Sequence, residues 1–260
     1  MAFRVLRVTV TAGWNGLGSI ELGELVAAKT WRGQGETITL PVRIRDAELA
    51  TAVFTARPAE AASCSAGAGL RPFTVAGRAL SVLMLVHYGP WELGSYDEVG
   101  VALLARGPGN RVGLYTVDLP VTGELTREAG QDLWALPKWL MRSDLTFRES
   151  SASVTVYDGD TFVMRASVRA GRISVPFRMR SKTPTWSRLD HGAQAGVLLR
   201  GLVPMIAHGT HFGRGAGRVE LGDHPMAERM AALGMTRRPL LTMHVRRLRG
   251  ELDAFEAVAG

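Results

Sequence analysis

The sequence is poor in two chemically versatile side chains, cysteine and lysine. Cys64 is the single cysteine in 260 residues, so neither an intramolecular disulfide nor a cluster of thiolate metal ligands can form. Of the 31 basic residues, 28 are arginines and only three are lysines, namely Lys29, Lys138 and Lys182. Arginine stays protonated at any useful pH and is a poor nucleophile, so any amine chemistry must come from these three positions.

Long apolar runs are also missing. The sequence has no stretch of 18 apolar residues, so we expect no transmembrane helix and no membrane partner. The first 18 residues, MAFRVLRVTVTAGWNGLG, lack a continuous apolar segment and a small-residue cleavage site, so no signal peptide is expected. Together with the single cysteine, these features favour a cytoplasmic protein.

Several motifs of common enzyme classes are absent as well. There is no Gly-Lys-Ser/Thr phosphate loop, no Gly-x-Ser-x-Gly nucleophile turn and no His-Glu-x-x-His zinc motif. His208 and His211 form an i, i+3 pair in HGTH, but no acidic third ligand stands at a motif spacing. We therefore predict neither a metal site nor a cofactor.

The positive charge invites a nucleic-acid interpretation, which we do not favour. The formal net charge is +7 and the sequence pI is about 10.3. The basic residues are spread along the chain, however, and the densest stretch, 237–252, also has the pattern of a closing strand. A β-domain that binds DNA or RNA stays open as an alternative, and steeply salt-dependent binding would support it.

Hydrophobic periodicity is mostly that of strands, and glycine, proline and an Asp-Gly hairpin signal at 155–164 separate them. Strands are predicted at 3–10, 36–45, 80–88, 99–106, 111–119, 144–158, 161–170, 172–180, 217–222 and 240–248. Helices are predicted at 46–54, 127–136 and 226–234, and 56–72 is predicted to be a loop. We expect one predominantly β domain over residues 1–260, a barrel or sandwich with a few helices.

Lys138 is unusual because it lies inside an apolar run, GQDLWALPKWL. Trp134, Leu136, Trp139 and Leu140 would remove water from its amine, and burial favours the neutral form of a lysine. A neutral amine can add to a ketone and form a Schiff base, whose iminium accepts electrons from a neighbouring carbon. The alternative is a stem that packs on its neighbours and an ammonium group that reaches water.

Schiff-base chemistry also needs a group that moves protons. Asp97 and Glu98 stand side by side before an apolar strand, in ELGSYDEVGVAL. Adjacent side chains of a strand point to opposite faces, so one carboxylate would face solvent and the other a cavity. We expect Glu98 to be catalytic with Lys138. Candidate substrate-binding residues are Trp134, Trp139, Tyr96, His87 and Arg142.

These segments resemble the acetoacetate decarboxylase family. GQDLWALPKWL is similar to the segment of its Schiff-base lysine, and LGSYDEVGVAL to the segment of its active-site glutamate, which would be Lys138 and Glu98 here. GRGAGRVELGDHPMAERMAALG, residues 213–234, is similar to a C-terminal segment of the family, and the resemblance covers roughly residues 40–250. It implies a β-barrel or cone-like fold, a buried lysine, a keto-acid substrate and a homo-oligomer.

The resemblance has two departures. Trp139 stands where the decarboxylase has a second lysine, and Arg142 could replace that charge only in a helix. The upstream arginine thought to meet the substrate carboxylate aligns near Glu36 or Thr37, with Arg32, Arg43 and Arg45 nearby. We expect decarboxylation of a β-keto acid. One alternative is an aldolase-dehydratase or cyclase of secondary metabolism that acts on a larger keto or polyketide-type substrate. Another is a non-covalent binder of an apolar ligand.

Overall fold

Strands dominate the part of the chain that the computed structural model describes, residues 29–258. The strands are β1 (Thr30–Gly33), β2 (Glu36–Thr39), β3 (Val42–Ala56), β4 (Arg71–Pro72), β5 (Thr74–Val75), β6 (Arg78–Tyr88), β7 (Tyr96–Arg106), β8 (Val112–Asp118), β9 (Arg142–Ser143), β10 (Thr146–Arg148), β11 (Ser151–Asp158), β12 (Thr161–Arg169), β13 (Ile173–Val175), β14 (Met179–Ser187), β15 (Leu199–Gly213), β16 (Ala216–Leu221), β17 (Leu241–Leu252) and β18 (Glu256–Ala257). The helices are α1 (Pro58–Ser65), α2 (Glu124–Trp134) and α3 (Pro225–Ala232).

Seven strands close into a barrel. They follow one another in the order β7, β8, β14, β15, β17, β3 and β6, and β6 pairs back to β7. The pairing of β8 with β14 is parallel, and the others around the ring are antiparallel. Closure gives every strand in the ring a neighbour on both sides, so the ring has no free edge strand. The prediction of a mainly β, barrel-like fold with few helices is confirmed.

A second antiparallel sheet, β10-β11-β12-β16 with β9 beside β11, packs on this barrel. Val154 and Met164 of the second sheet are buried in one cluster with Phe54 and Leu83 of the barrel, and Met230 of α3 joins them. A separate cluster packs α2 against the barrel through Trp134 and the apolar residues of 119–121. Each fully buried side chain of this size stabilises the fold by about 1.5–3 kcal/mol. The two clusters hold α2, α3 and β7 in fixed relative positions.

Most of the predicted elements are found, with four corrections. The helix predicted at 46–54 is wrong, because this segment is the middle of β3 and pairs with β17 and β6. The loop predicted at 56–72 contains α1, and the long strand β15 was not predicted. The strands predicted at 36–45, 144–158 and 172–180 are each interrupted. The strand predicted at 3–10 lies outside the described residues.

Two negative observations concern the described residues alone. None of the helices within residues 29–258 has the length and apolar character needed to cross a bilayer. Within the same range, no three side chains of His, Cys, Asp or Glu are grouped so that they could share a metal ion. His208 of the HGTH segment is exposed, whereas His211 lies opposite His244 of β17.

His244 is a buried titratable group without a compensating contact. Its side chain is fully buried, and neither ring nitrogen has a hydrogen-bond partner within the described part of the chain. Burial, with smaller contributions from His211 and Arg246, lowers the pKa of His244 below its ordinary value of 6.5. The folded protein therefore favours the neutral imidazole.

We expect part of the stability to be lost as the pH falls below 6.5. The unfolded chain protonates this histidine near its ordinary pKa, whereas the folded chain resists protonation, so acid favours unfolding until the lowered pKa is passed. Urea unfolding followed by tryptophan fluorescence measures this effect. The urea midpoint should fall less between about pH 7.5 and about pH 5.5 in His244→Phe than in the parent. In the control His208→Phe, which changes an exposed histidine, the midpoint should fall as much as in the parent. An equal fall in His244→Phe and in the parent would contradict the assignment.

Candidate active site

The backbone turns sharply at the end of α2, so that Lys138 packs against Gly130 and Gln131 of the same helix. Ala135 ends the helix in the left-handed region, with φ of +46°. The following segment then pairs with the strand-like residues 119–121. Leu119 N–H donates to the Pro137 carbonyl at 3.2 Å, and Val121 N–H donates to the Trp139 carbonyl at 2.9 Å. Since residues 119–121 in turn bond β7, Lys138 is brought beside Glu98.

Gly130 makes room for the stem of this lysine. A Cβ atom at position 130 would lie 2.5 Å from Cδ and 2.9 Å from Cε of Lys138, which is closer than real Cβ contacts. The next residue, Gln131, donates from Nε2 to the Lys138 carbonyl at 2.6 Å. The Gly-Gln pair of the sequence segment therefore positions both the side chain and the backbone of the lysine.

The Lys138 amine is buried beside polar partners. Nζ lies 3.0 Å from Glu98 Oε2 in an ion pair, donates to Thr126 Oγ1 at 2.8 Å, and lies 5.2 Å from the centre of the Tyr96 ring. The side chains of Lys138 and Glu98 are only 4% and 10% exposed. The second carboxylate oxygen of Glu98 accepts from the Tyr88 hydroxyl at 3.1 Å.

The two tyrosines remain protonated donors in this environment. Burial, and then the neighbouring Glu98 carboxylate, raise the pKa of Tyr88 and of Tyr96 well above 10. Tyr88 therefore keeps the proton that fixes one oxygen of Glu98. The other oxygen faces the amine, and a single proton transfer from Nζ would convert the ion pair into a neutral amine and a carboxylic acid.

A cavity of about 460 Å³ lies next to this pair, within the size range of small-molecule sites. Its wall consists of Asp118, Arg127, Gln131, Lys138, Trp139, Leu140, Asp158, His224 and Arg229. A larger groove of about 840 Å³ crosses β14, β15, β17 and β3, but Lys138 does not line it. We place the candidate site in the smaller cavity because Lys138, which contacts Glu98, is on its wall.

Two further pairs stand on the wall of this cavity. Asp118, almost completely buried at the end of β8, accepts two hydrogen bonds from Arg229 of α3. His224 precedes α3 and accepts from the Met226 N–H at 3.2 Å through Nδ1, while its Nε2 lies 3.4 Å from Asp158. These contacts join α3 to β8, and the residue before α3 to β11, at the wall of the cavity.

The predicted site residues separate into two groups. Lys138, Glu98 and Tyr96 lie together, and Trp139 lines the cavity with its ring 5.3 Å from that of His224. The remaining three lie elsewhere. Trp134 is fully buried in the core and donates to the Asp253 carbonyl, His87 bonds Asp97 away from the amine, and Arg142 lies 4.2 Å over the Tyr157 ring. Residues 137–141 are not helical, so Arg142 does not return to Lys138.

Sequence reasoning missed the contacts that long-range folding creates. Tyr88, Thr126, Asp118, Arg229 and His224 stand on five different elements or turns and share no motif spacing. One local signal did exist. Thr126 and Gly130 are four residues apart, so they lie on one face of a helix, and that face receives the lysine.

Comparison with known proteins identifies the family. The family described as Acetoacetate decarboxylase (ADC) matches residues 32–253, so the chain belongs to the acetoacetate decarboxylase family. The resemblance read from the Lys138 and Glu98 segments is thereby confirmed. Curated proteins give no match to the sequence.

Solved structures agree on the fold at low sequence identity. The acetoacetate decarboxylase of Legionella pneumophila subsp. pneumophila str. Philadelphia 1 is 15% identical with a TM-score of 0.65, over 84% of this chain and 87% of that chain. An acetoacetate decarboxylase-like enzyme of Sphingomonas wittichii RW1 is 15% identical with a TM-score of 0.60, over 90% and 99%. The enduracididine biosynthesis enzyme MppR complexed with pyruvate is 15% identical with a TM-score of 0.59, over 92% and 93%.

The packing of Lys138 on Gly130 predicts an unusual response to alanine. Glycine to alanine inside a helix normally stabilises by up to about 1 kcal/mol. Gly130→Ala should instead lower the free energy of unfolding, because its methyl group meets the Lys138 stem. In a Lys138→Ala background the same change should be neutral or stabilising. Urea unfolding of the four proteins measures this coupling, and additive effects would refute the proposed contact.

Proposed function

We propose that this protein is a lyase that forms a Schiff base between Lys138 and the ketone of a keto acid, and that it decarboxylates a β-keto acid. One observation carries the proposal, namely the buried pair of Lys138 Nζ and Glu98 Oε2, 3.0 Å apart, beside a cavity. The pairing supplies a nucleophile and a proton acceptor in direct contact. Membership of the acetoacetate decarboxylase family supports the same chemistry.

The residues divide the work as follows. Glu98 accepts a proton from the Lys138 ammonium, and the neutral amine attacks the ketone carbon. Loss of water then gives an iminium. The bond to the carboxylate carbon breaks, its electron pair moves to the iminium nitrogen, and CO₂ leaves an enamine. A proton adds to the enamine carbon, and water releases the ketone and returns Lys138 to its amine form. Thr126 and the Tyr96 ring position Nζ before it attacks.

A second candidate function is aldol-type condensation or dehydration on a larger keto acid. MppR, which shares this fold, has been crystallised with the condensation product of pyruvate and imidazole 4-carboxaldehyde. The same iminium can lose a proton instead of CO₂, and the resulting enamine can attack an aldehyde. A cavity of about 460 Å³ has room for a second reactant beside a three- or four-carbon keto acid.

Trapping with a reductant tests the nucleophile directly. Incubation with acetoacetate, pyruvate or 2,4-pentanedione and then borohydride should add one adduct, located on the peptide of Lys138 by mass spectrometry. Lys138→Ala should abolish the adduct, and Lys138→Arg should not restore it, because guanidinium is not a nucleophile. Lys182→Ala removes an exposed lysine and serves as the matched control. Trapping that survives in Lys138→Ala would eliminate the proposed mechanism.

Glu98 can be tested separately from the nucleophile. Glu98→Gln keeps the shape of the side chain but cannot take the proton from Nζ. The maximal rate of adduct formation should fall about 10²-fold, while the half-saturating keto-acid concentration should change little. Asp97→Asn, on the opposite face of β7, is the control. An unchanged maximal rate in Glu98→Gln would count against its proposed role.

A further inference from the structure

The positively charged side chains on the cavity wall differ in how many of their nitrogens already have a hydrogen-bond or ion-pair partner on the protein. Lys138 is already paired with the Glu98 carboxylate and donates to Thr126. Arg127, on α2, also uses all three of its nitrogens: Nε and Nη2 bond Glu124, and Nη1 donates to the Gln131 side chain at 3.2 Å. Each nitrogen of these two side chains therefore already has a polar partner on the protein.

Arg229 is different because one end of its guanidinium is held and the other is open. Nε donates to Asp118 Oδ2 at 2.7 Å, and Nη2 donates to Asp118 Oδ1 at 2.6 Å. The third nitrogen, Nη1, has no hydrogen-bond partner within residues 29–258, and 40% of the side chain is exposed. The hydrogen bonds to Asp118 raise the pKa of Arg229, so its positive charge is permanent.

The arginines suggested by sequence position lie away from this cavity. Arg43 and Arg45 line the larger groove across β14, β15, β17 and β3, and Arg32 belongs to the two-stranded sheet β1–β2. None of the three is on the wall that Lys138 shares. The position that aligns with the upstream arginine is likewise in β2, where Glu36 and Thr37 are exposed.

We infer that Arg229 binds the carboxylate of the keto acid and so selects anionic substrates over neutral ketones. The substrate class in this inference rests on the proposed function. The choice of Arg229 rests on its Nη1 atom, which has no partner within the described residues. A carboxylate that gives up part of its hydration on the cavity wall needs a charged hydrogen-bond donor to offset that loss. Asp118 holds the guanidinium in one orientation, so little side-chain entropy is lost when the substrate binds.

The test compares an anionic ligand with a neutral one. The borohydride trapping rate with acetoacetate should fall about tenfold or more in Arg229→Gln, while the rate with neutral 2,4-pentanedione should stay within about twofold. Arg142→Gln is the matched control, since Arg142 stacks on Tyr157 outside the cavity. Equal losses for both ligands, or none, would overturn the assignment.

Butyrate gives a measurement that needs no Schiff base, because it carries the carboxylate without the ketone. Calorimetry should show butyrate binding about tenfold or more weakly to Arg229→Gln than to the parent or to Arg142→Gln. If borohydride traps no adduct but butyrate binding still depends on Arg229, the Schiff-base function fails and the carboxylate site stands. Butyrate binding that does not depend on Arg229 would overturn the site.

The single variant leaves the buried Asp118 without its partner, which threatens the fold. Asp118→Asn/Arg229→Gln replaces the ion pair with two neutral amides that can still bond each other. It should retain the parent's unfolding transition and trapping of 2,4-pentanedione while losing the preference for acetoacetate. A double variant that folds and keeps the full preference would contradict the inference.

Discussion

The candidate site depends on one interaction, the ion pair between Lys138 and Glu98. Both charges are nearly out of reach of water, so each needs the other, and removal of one partner from such a pair costs about 3–5 kcal/mol. The remaining contacts of the site serve this pair. Tyr88 fixes the second oxygen of Glu98, Thr126 accepts from the amine, and Gly130 leaves the space through which the lysine stem passes.

The fold explains how such a pair can be built. Glu98 belongs to β7, a strand paired on both sides within the closed barrel, so its backbone has little freedom. Lys138 reaches it from a non-helical segment whose backbone is bonded to residues 119–121, next to the same strand. A side chain on a free loop could not keep a buried charge 3.0 Å from its partner, because loop motion would expose one of them.

Sequence patterns identify the features of this protein that depend on neighbouring residues. They do not identify contacts between residues that are far apart in the chain. The apolar run around Lys138 and the Asp97–Glu98 step reveal the two central residues, and periodicity reveals α2, α3 and most barrel strands. The pattern of residues 46–54 predicts a helix because an alanine-rich stretch favours a helix in isolation, whereas pairing with β17 and β6 makes this segment a strand. The sequence does not show which of Trp134 and Trp139 faces the cavity. The turn at Ala135 decides this, because it places Trp134 in the core and Trp139 on the cavity wall.

The replacement of the family's second lysine by Trp139 changes how the amine becomes reactive. An adjacent ammonium would favour the neutral amine by repulsion between like charges. Here the Trp139 ring packs near His224, and Arg142 lies over Tyr157, so neither brings a positive charge to Nζ. Under the proposed mechanism, the transfer of a proton to Glu98 produces the neutral amine instead. That mechanism gives Glu98 a part in the activation of the nucleophile, and it accounts for a carboxylate, rather than a neutral acceptor, in contact with the amine.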